Sequence, residues 1–272
     1  MVRFAVATAA YAVKVIRFLP AVRSEWRNPV TMAFVPTGSI GLILLSLAML
    51  EVSRPLSAVL WWTGAGLQFI LTLHILRTWI ADPHVVPAQV HPAWFIPVVG
   101  NLVVPLAGVV HAPAQVNWYF FALGLVWWLA LLPIVVGRLV LAGPLPAKLM
   151  PTLAVFVAPP AVAALAWVRL GGQWTDPPAQ ILLNVVLFQL LLLAVQARAL
   201  ARVPFAIAAW AYTFPLAAAA SALMAAGHAG LGDGYRWIGV AVLAVLTALV
   251  AVLTARTALA IARHEICRPE MP

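Results

Sequence analysis

The sequence predicts an all-α protein that crosses a membrane many times, and three observations support this prediction. Of 272 residues, 65% are hydrophobic and only 8% are charged, and the mean hydropathy is +1.04. A water-soluble surface cannot be built from such a composition. Apolar runs of about 18 or more residues recur along the chain, each long enough to cross ~30 Å of hydrocarbon as a helix. Runs with and without proline alternate, apart from Pro133 in the run 118–142, which predicts a repeated helical hairpin.

The apolar runs predict one transmembrane domain over residues 1–272, with eight full spans, a partial N-terminal span and a polar tail at 263–272. The partial span, 4–16, is too short to cross a membrane. It is either a cleavable signal peptide ending near Ala10-Tyr11-Ala12, or the second half of a helix that begins before Met1. The full spans are expected at 31–50, 56–80, 93–111, 118–142, 149–169, 179–197, 205–226 and 236–262.

The distribution of basic residues predicts the orientation. Twelve of the sixteen Lys and Arg residues lie at one side of the predicted spans, whereas the alternate loops carry only Arg54, Arg169 and Arg236. Basic loops stay in the cytoplasm, so the C-terminus is expected there. Eight full spans then place residue 30 in the cytoplasm as well, and the half-helix at 4–16 would start outside. A further helix preceding Met1 would place both termini in the cytoplasm, so we expect the sequence to be truncated.

The net charge of +9 does not indicate a nucleic-acid partner, because the basic residues form no continuous patch.

An internal repeat is visible in the prolines. The spans pair as hairpins at 31–80, 93–142, 149–197 and 205–262, and the first helix of each pair contains proline. Proline frees a carbonyl that protein or water, not lipid, must satisfy, so these helices are expected to form an inner ring. Their partners would form an outer ring. The prolines are Pro36, Pro105, Pro159, Pro160 and Pro215, the last three repeats being spaced 55 residues apart when Pro160 is used.

Several residues of the inner helices are candidates for lining a pathway. Gly38 and Gly100 would allow either close helix approach or open space near the axis. Asn101 would either line the pathway or bond to the carbonyl that Pro105 frees. All seven acidic residues lie in loops or tails, which argues against a cation channel or a carboxylate-based pump. A neutral pathway for anions or uncharged solutes remains.

Neither an enzyme nor a cofactor is indicated. The single cysteine, Cys267, lies in the C-terminal tail, and the histidines have no metal-ligand spacing, so no metal site is expected. No glycine-rich nucleotide motif is present, so no cofactor is predicted either. A membrane-embedded enzyme would need acids, histidines or a nucleophile converging near one interface, and the sequence offers no such cluster.

Three stretches carry a resemblance to a known family. They are YAVKVIRFLPAVRSEWRNP (Tyr11 to Pro29), WFIPVVGNLVVPLAG (Trp94 to Gly108) and VPFAIAAWAYTFP (Val203 to Pro215). The chain resembles the tellurite-resistance and C4-dicarboxylate transporter family of TehA-like proteins, which includes the plant guard-cell slow anion channels. The resemblance covers essentially the whole chain.

The resemblance implies ten helices in five hairpins around a quasi-fivefold central pore, with protomers assembled as trimers. It also implies that a phenylalanine of the ninth helix plugs the pore. The matching residue here is Phe214, flanked by Thr213 and Pro215. The first inner helix of the family has no counterpart in this sequence, so by the resemblance one fifth of the pore wall would be missing.

The expected function is therefore an anion channel or transporter in the bacterial inner (plasma) membrane, assembled as a homotrimer. It would move small inorganic anions or C4-dicarboxylates through a neutral pore gated at Phe214. The alternative is an inactive or truncated remnant of a transporter, with a membrane-embedded enzyme a weaker third interpretation.

Overall fold

The computed structural model describes residues 17–20, 26 and 28–263, and these residues contain helices and turns but no strand. Eight segments are long and apolar enough to cross a membrane, and each overlaps one predicted span. The prediction of an all-α polytopic membrane protein is confirmed. The half-helix at 4–16, Cys267 and all of the predicted tail except Arg263 lie outside the described residues. The observed spans are Met32–Met49, Arg54–Ala81, Pro92–His111, Ala114–Leu141, Ala147–Arg169, Pro177–Val195, Ile207–Leu231 and Asp233–Ala262.

The chain divides into two compact units, and the first comprises residues 1–144 and 165–173. Its helices are α1 (Thr37–Met49), α2 (Arg54–Ala81), α3 (Phe95–Val103), α4 (Pro105–His111) and α5 (Ala114–Leu141). Helix α2 begins at a hydrogen bond from the Leu56 N–H to the Ser53 hydroxyl. Helices α1 and α2 approach closely at Gly64, where a Cβ would stand 2.8 Å from Cγ1 of Ile43. Small residues at such positions allow the van der Waals contact that holds helices together in lipid.

The second unit comprises residues 145–164 and 174–272. It contains the 3₁₀ segment Ala147–Val157, most of α6 (Ala158–Arg169), α7 (Pro177–Val195), the short α8 (Ala197–Ala201), the 3₁₀ segment Ile207–Tyr212, α9 (Thr213–Ala226) and α10 (Asp233–Ala262). Helices α9 and α10 form a hairpin. Its turn requires positive φ at Gly230 (89°) and Gly232 (128°), a region that glycine adopts without steric cost.

Each span in which proline was predicted to kink the helix is divided, and the proline lies in or next to the first turn of the new α-helix. Pro36 immediately precedes α1, Pro105 begins α4, Pro159 follows the first residue of α6, and Pro215 is the third residue of α9. Proline is tolerated there because the first N–H groups of a helix have no intrahelical partner. In three of the four spans the preceding residues form a 3₁₀ helix.

The structure changes the register of the predicted repeat. Pro97 is the third residue of α3 and follows the 3₁₀ segment Pro92–Trp94, as Pro215 is the third residue of α9 and follows Ile207–Tyr212. The structural counterpart of Pro215 is therefore Pro97, not Pro105. The regular 55-residue spacing joined two different positions, because span Pro92–His111 contains a break at Val104, where Pro105 begins α4, in addition to the 3₁₀ segment before α3.

Burial separates some of the spans into interior and peripheral helices. In the most apolar window of Pro92–His111, 83% of residues are buried, and in that of Ala147–Arg169 72% are. The corresponding shares for α7 and α10 are 17% and 11%. Two proline spans are thus largely buried, and two helices without an internal proline are largely exposed. The other two proline spans, with 39% each, are no more buried than α2.

Candidate functional site

The start of α9 positions Phe214. The Thr213 hydroxyl donates to the Trp210 carbonyl at 2.8 Å and closes the junction between the 3₁₀ segment and the helix. Trp210 in turn donates from Nε1 to the Thr257 hydroxyl of α10 at 3.1 Å. Phe214 follows as the second helical residue and is half-buried, whereas Pro215 beside it is buried. The Phe214 backbone is therefore fixed from both sides of the junction.

A stripe of residues that are not buried runs along α9 from Phe214. Phe214, Ala217, Ser221 and Ala225 are spaced three or four residues apart, and none of them is buried, although most other α9 residues are. This spacing places all four on one helical face. We call this stripe the Phe214 face. It presents one large aromatic ring at its start and small side chains beyond it.

A buried hydrogen-bond network in the first unit joins α1, α2 and α3. At its centre is Gln68 of α2, which has no exposed surface. Its Oε1 accepts a hydrogen bond from the Ser39 hydroxyl at 2.7 Å, and its Nε2 donates to the Pro97 carbonyl at 2.8 Å. Ser39 also lies 2.8 Å from the carbonyl of Pro36. One amide side chain thus ties together the beginnings of two proline-bearing helices.

Asn101 belongs to the same network. Its Nδ2 donates to the Thr72 hydroxyl at 3.0 Å and to the Val98 carbonyl at 2.9 Å. The Asn101 carbonyl, which Pro105 deprives of its usual partner, accepts instead from the Val104 N–H at 3.3 Å. The Asn101 side chain is thus bonded inside the first unit and not to the freed carbonyl. Its Oδ1 is buried without a hydrogen-bond partner.

The two glycines predicted near the pathway have different surroundings. A Cβ on Gly100 would overlap the Gln68 amide, so Gly100 is a close-approach position inside the network. Gly38 is exposed, and a Cβ there would meet nothing within 4 Å. Pro159 and Pro160 are both buried at the start of α6. The candidate residues thus fall in both units; Gly38 is exposed, Thr213 and Phe214 are half-buried, and the others are buried.

Sequence reasoning missed Ser39, Gln68 and Thr72. Gln68 and Thr72 lie four residues apart, on one face in the middle of an apolar span. Polar side chains in such positions usually bond across to neighbouring helices, which is the signal that could have found them. Among the described residues, no group of three His, Cys, Asp or Glu side chains could hold a metal ion.

His91 lies immediately before the span Pro92–His111 and is the most buried histidine of the described residues. It is 1% exposed, neither ring nitrogen has a hydrogen-bond partner, and its ring stacks on Phe34 at 5.9 Å between centroids. The pKa of His91 is lowered to about 4, mainly by burial; the nearby Val30 backbone partly opposes the shift, and the positive charge of Arg138 adds to it. His91 is thus neutral in the folded protein at physiological pH.

This burial predicts acid destabilisation. In the unfolded chain His91 takes up a proton below about pH 6.5, but in the folded protein it does so only near pH 4. The unfolded state binds more protons between these values, so stability falls as the pH decreases, by about 2 kcal/mol at pH 5 relative to pH 7.5. We expect His91→Gln to flatten the pH dependence of the apparent melting temperature in detergent between pH 7.5 and 5. The exposed His84, changed to Gln, is the matched control, and equal slopes in the two variants would contradict this assignment.

Comparisons with known proteins agree with the architecture. A model of the family described as SLAC1, voltage-dependent anion channel, matches residues 1–258. The chain is 30% identical over 214 residues to the S-type anion channel SLAH2 of Arabidopsis thaliana, covering 78% of this chain and 41% of the relative. The guard cell S-type anion channel SLAC1 of the same plant is 27% identical over 222 residues, covering 78% and 39%. The TehA homologue of Haemophilus influenzae, named a tellurite resistance protein, is 23% identical over 214 residues, covering 78% and 65%. The chain thus spans about two fifths of the length of these plant relatives.

Proposed function

Because the match over residues 1–258 makes this chain a member of the SLAC1 voltage-dependent anion channel family, we propose that it is a membrane channel or transporter for small anions. The observation that carries the proposal is the Phe214 face of α9, an open helical face with an aromatic ring at one end and small residues beyond it. The S-type anion channels among its relatives support the same substrate class.

The charge of the proline-bearing spans suits anions. No side chain between Thr213 and Ala226, or between Phe95 and Val110, carries a charge. An anion would meet no carboxylate along these segments, and it would not be held by a fixed positive charge in the middle of the membrane. Each proline junction also begins a new α-helix, whose first N–H groups carry a partial positive charge. By the predicted orientation the starts of α1, α3 and α9 lie toward the cytoplasmic side, where they would favour anion entry.

We place the gate at Phe214. The ring stands at the first turn of α9, and the positions one and two turns further along the same face are Ala217 and Ser221. A hydrophobic constriction blocks hydrated ions, whereas small side chains leave room for them. Rotation of the Phe214 ring would then open passage for small inorganic anions or C4-dicarboxylates. Gly38 would widen the path on α1, and Pro36, Pro105, Pro159, Pro160 and Pro215 would hold the helix starts in place.

Flux in liposomes tests this function directly. The protein would be reconstituted, and the efflux of chloride, nitrate and malate measured in turn, for the native chain and for a variant with a smaller residue at position 214. We expect flux of at least one of these anions in the variant. No flux of any anion in either form would favour the alternative of an inactive or truncated remnant.

We further propose a homotrimer in the bacterial inner membrane, with the C-terminus in the cytoplasm, on the basis of the family resemblance and the basic residues of one side. The single cysteine provides a test of orientation. Cys267, near the C-terminus, is expected to react with a membrane-impermeant maleimide in inverted vesicles but not in intact spheroplasts. The control variant, Cys267→Ser with a cysteine introduced at Arg169, should show the opposite pattern. Labelling of Cys267 in intact spheroplasts would reverse the proposed orientation.

A further inference from the structure

A large apolar groove runs along the second unit between α7, α8, α9 and α10. Its volume is about 1070 Å³, just above the ~300–1,000 Å³ usual for ligand pockets. We call it the α7–α10 groove. Each of the four helices contributes to its walls, which include Leu191 and Ala194 of α7, Leu200 of α8, Leu216 of α9, and Val245 and Arg256 of α10. Leu216 is two residues from Phe214, a rotation of about 200° along the helix, so the groove and the Phe214 face lie on opposite sides of α9. The groove is therefore separate from the proposed gate.

The groove extends through the depth of the membrane. On α10 it is lined by Ile238, Val242, Val245, Leu249, Val252 and Arg256, which are spaced three or four residues apart on one helical face. From the first to the last of these positions the helix rises ~27 Å, close to the ~30 Å thickness of the hydrocarbon core. Every one of these side chains is apolar except Arg256, at the end where α10 leaves the membrane.

Positive charge is concentrated at that end. Arg256 lines the groove, and Arg198 and Arg202 lie in the segment whose Ala197, Leu200, Ala201 and Val203 also line it. All three arginines are exposed, and none makes a side-chain hydrogen bond or ion pair with another described residue. The described acids of the second unit, Asp176 and Asp233, precede α7 and begin α10, at the other ends of the two helices.

We propose that the α7–α10 groove binds an anionic phospholipid of the cytoplasmic leaflet. The lipid phosphate would lie against Arg256, with Arg198 and Arg202 beside it, and the acyl chains would fill the apolar walls past Leu249 toward Val245, about one leaflet's depth from Arg256. Basic pockets between transmembrane helices on the cytoplasmic side suit anionic headgroups, and the apolar length suits acyl chains. An apolar helix from a second copy of the chain would cover the walls but would leave Arg256 buried without a counter-charge, which is costly. The charge at the rim therefore favours lipid over protein as the occupant.

Native mass spectrometry of the protein from nanodiscs of equal phosphatidylglycerol and phosphatidylcholine content tests the headgroup site. We expect the native chain to retain phosphatidylglycerol in preference to phosphatidylcholine. Arg256→Gln should lower phosphatidylglycerol retention about fivefold, which corresponds to the ~1 kcal/mol expected for one arginine near an anionic surface. Arg77→Gln is the matched control, because Arg77 is an exposed arginine at the same side of the membrane on α2, outside the groove. Equal retention of the two lipids by the native chain, or equal effects of the two variants, would overturn the proposal.

A second pair of variants tests the acyl-chain walls. Ala194 of α7 lines the groove at its cytoplasmic end, and Ala251 is an exposed residue on the face of α10 away from the groove. We expect Ala194→Trp to fill the groove and abolish preferential phosphatidylglycerol retention, and Ala251→Trp to leave it unchanged. The same spectra report the mass of the oligomer. If Ala194→Trp reduced the oligomer to a smaller species while lipid retention stayed the same, the groove would be an interface between copies and the lipid assignment would be wrong.

Discussion

Replacing Phe214 with alanine is expected to raise anion flux through the reconstituted protein at least tenfold. The half-buried ring stands at the start of α9, and its face continues with small residues, so removing the ring leaves no other large side chain on that face near the junction. A tenfold increase requires lowering the barrier to passage by only ~1.4 kcal/mol. Driving a hydrated anion past an aromatic ring in a narrow apolar passage costs more than that, because the ion must shed part of its water. Stopped-flow measurement of chloride efflux from liposomes provides the rates.

The matched control is a phenylalanine that lies away from the Phe214 face. Phe188 of α7 is 62% exposed on a peripheral helix, and Phe188→Ala removes the same volume from the lipid-facing surface. We expect flux of the Phe188 variant to equal that of the native chain. Native conduction with no increase on changing Phe214 would show that the barrier lies elsewhere. A similar increase in both variants would indicate leakage through a loosened structure.

The membrane spans could be predicted from the sequence because burial in lipid demands long apolar helices with internally bonded backbones. The predicted limits 31–50 and 205–226 became Met32–Met49 and Ile207–Leu231, a difference of a few residues except at the last boundary. That boundary was missed because the segment after Ala226 continues as a π-helical turn through residues of low hydropathy such as His228. Hydropathy reports which residues leave the apolar core, but it does not report where the hydrogen-bonded helix ends.

The site was only partly predictable. Proline identity reveals that a helix is interrupted, but whether Pro97 or Pro105 corresponds to Pro215 depends on where the preceding 3₁₀ segment ends. The end of the 3₁₀ segment is determined by packing. The spacing of prolines in the sequence does not contain this information and selected Pro105. Likewise, Gln68 was recognisable as a polar residue in an apolar span, but its partners depend on how α2 is rotated relative to α1 and α3. Contacts between helices of this kind are set by side-chain fit, which a single sequence does not display.

Gly100→Ala is expected to destabilise the protein strongly, because the added methyl group would overlap the Gln68 amide. Gln68 would have to move and give up its bonds to Ser39 and to the Pro97 carbonyl. Hydrogen bonds between membrane helices contribute ~0.6–2 kcal/mol each, so the expected loss is about 2 kcal/mol. For a protein of this size, that corresponds to a fall of about 4–8 °C in apparent melting temperature in detergent. The control is Gly66→Ala on α2, where a Cβ meets nothing within 4 Å and alanine should be neutral or slightly stabilising.

A double-mutant cycle separates this contact from general damage to the helix. Gln68→Ala alone is expected to be destabilising, since it leaves the Pro97 carbonyl and the Ser39 hydroxyl with fewer partners. In that background the methyl group of Gly100→Ala has no amide to displace, so its own effect should be much smaller than in the native chain. The expected coupling is about 1–2 kcal/mol, within the range seen for residues in direct contact. Additive effects of the two substitutions would mean that Gln68 is not the group that excludes a side chain at position 100. The network would then not be what holds the start of α3 against α2.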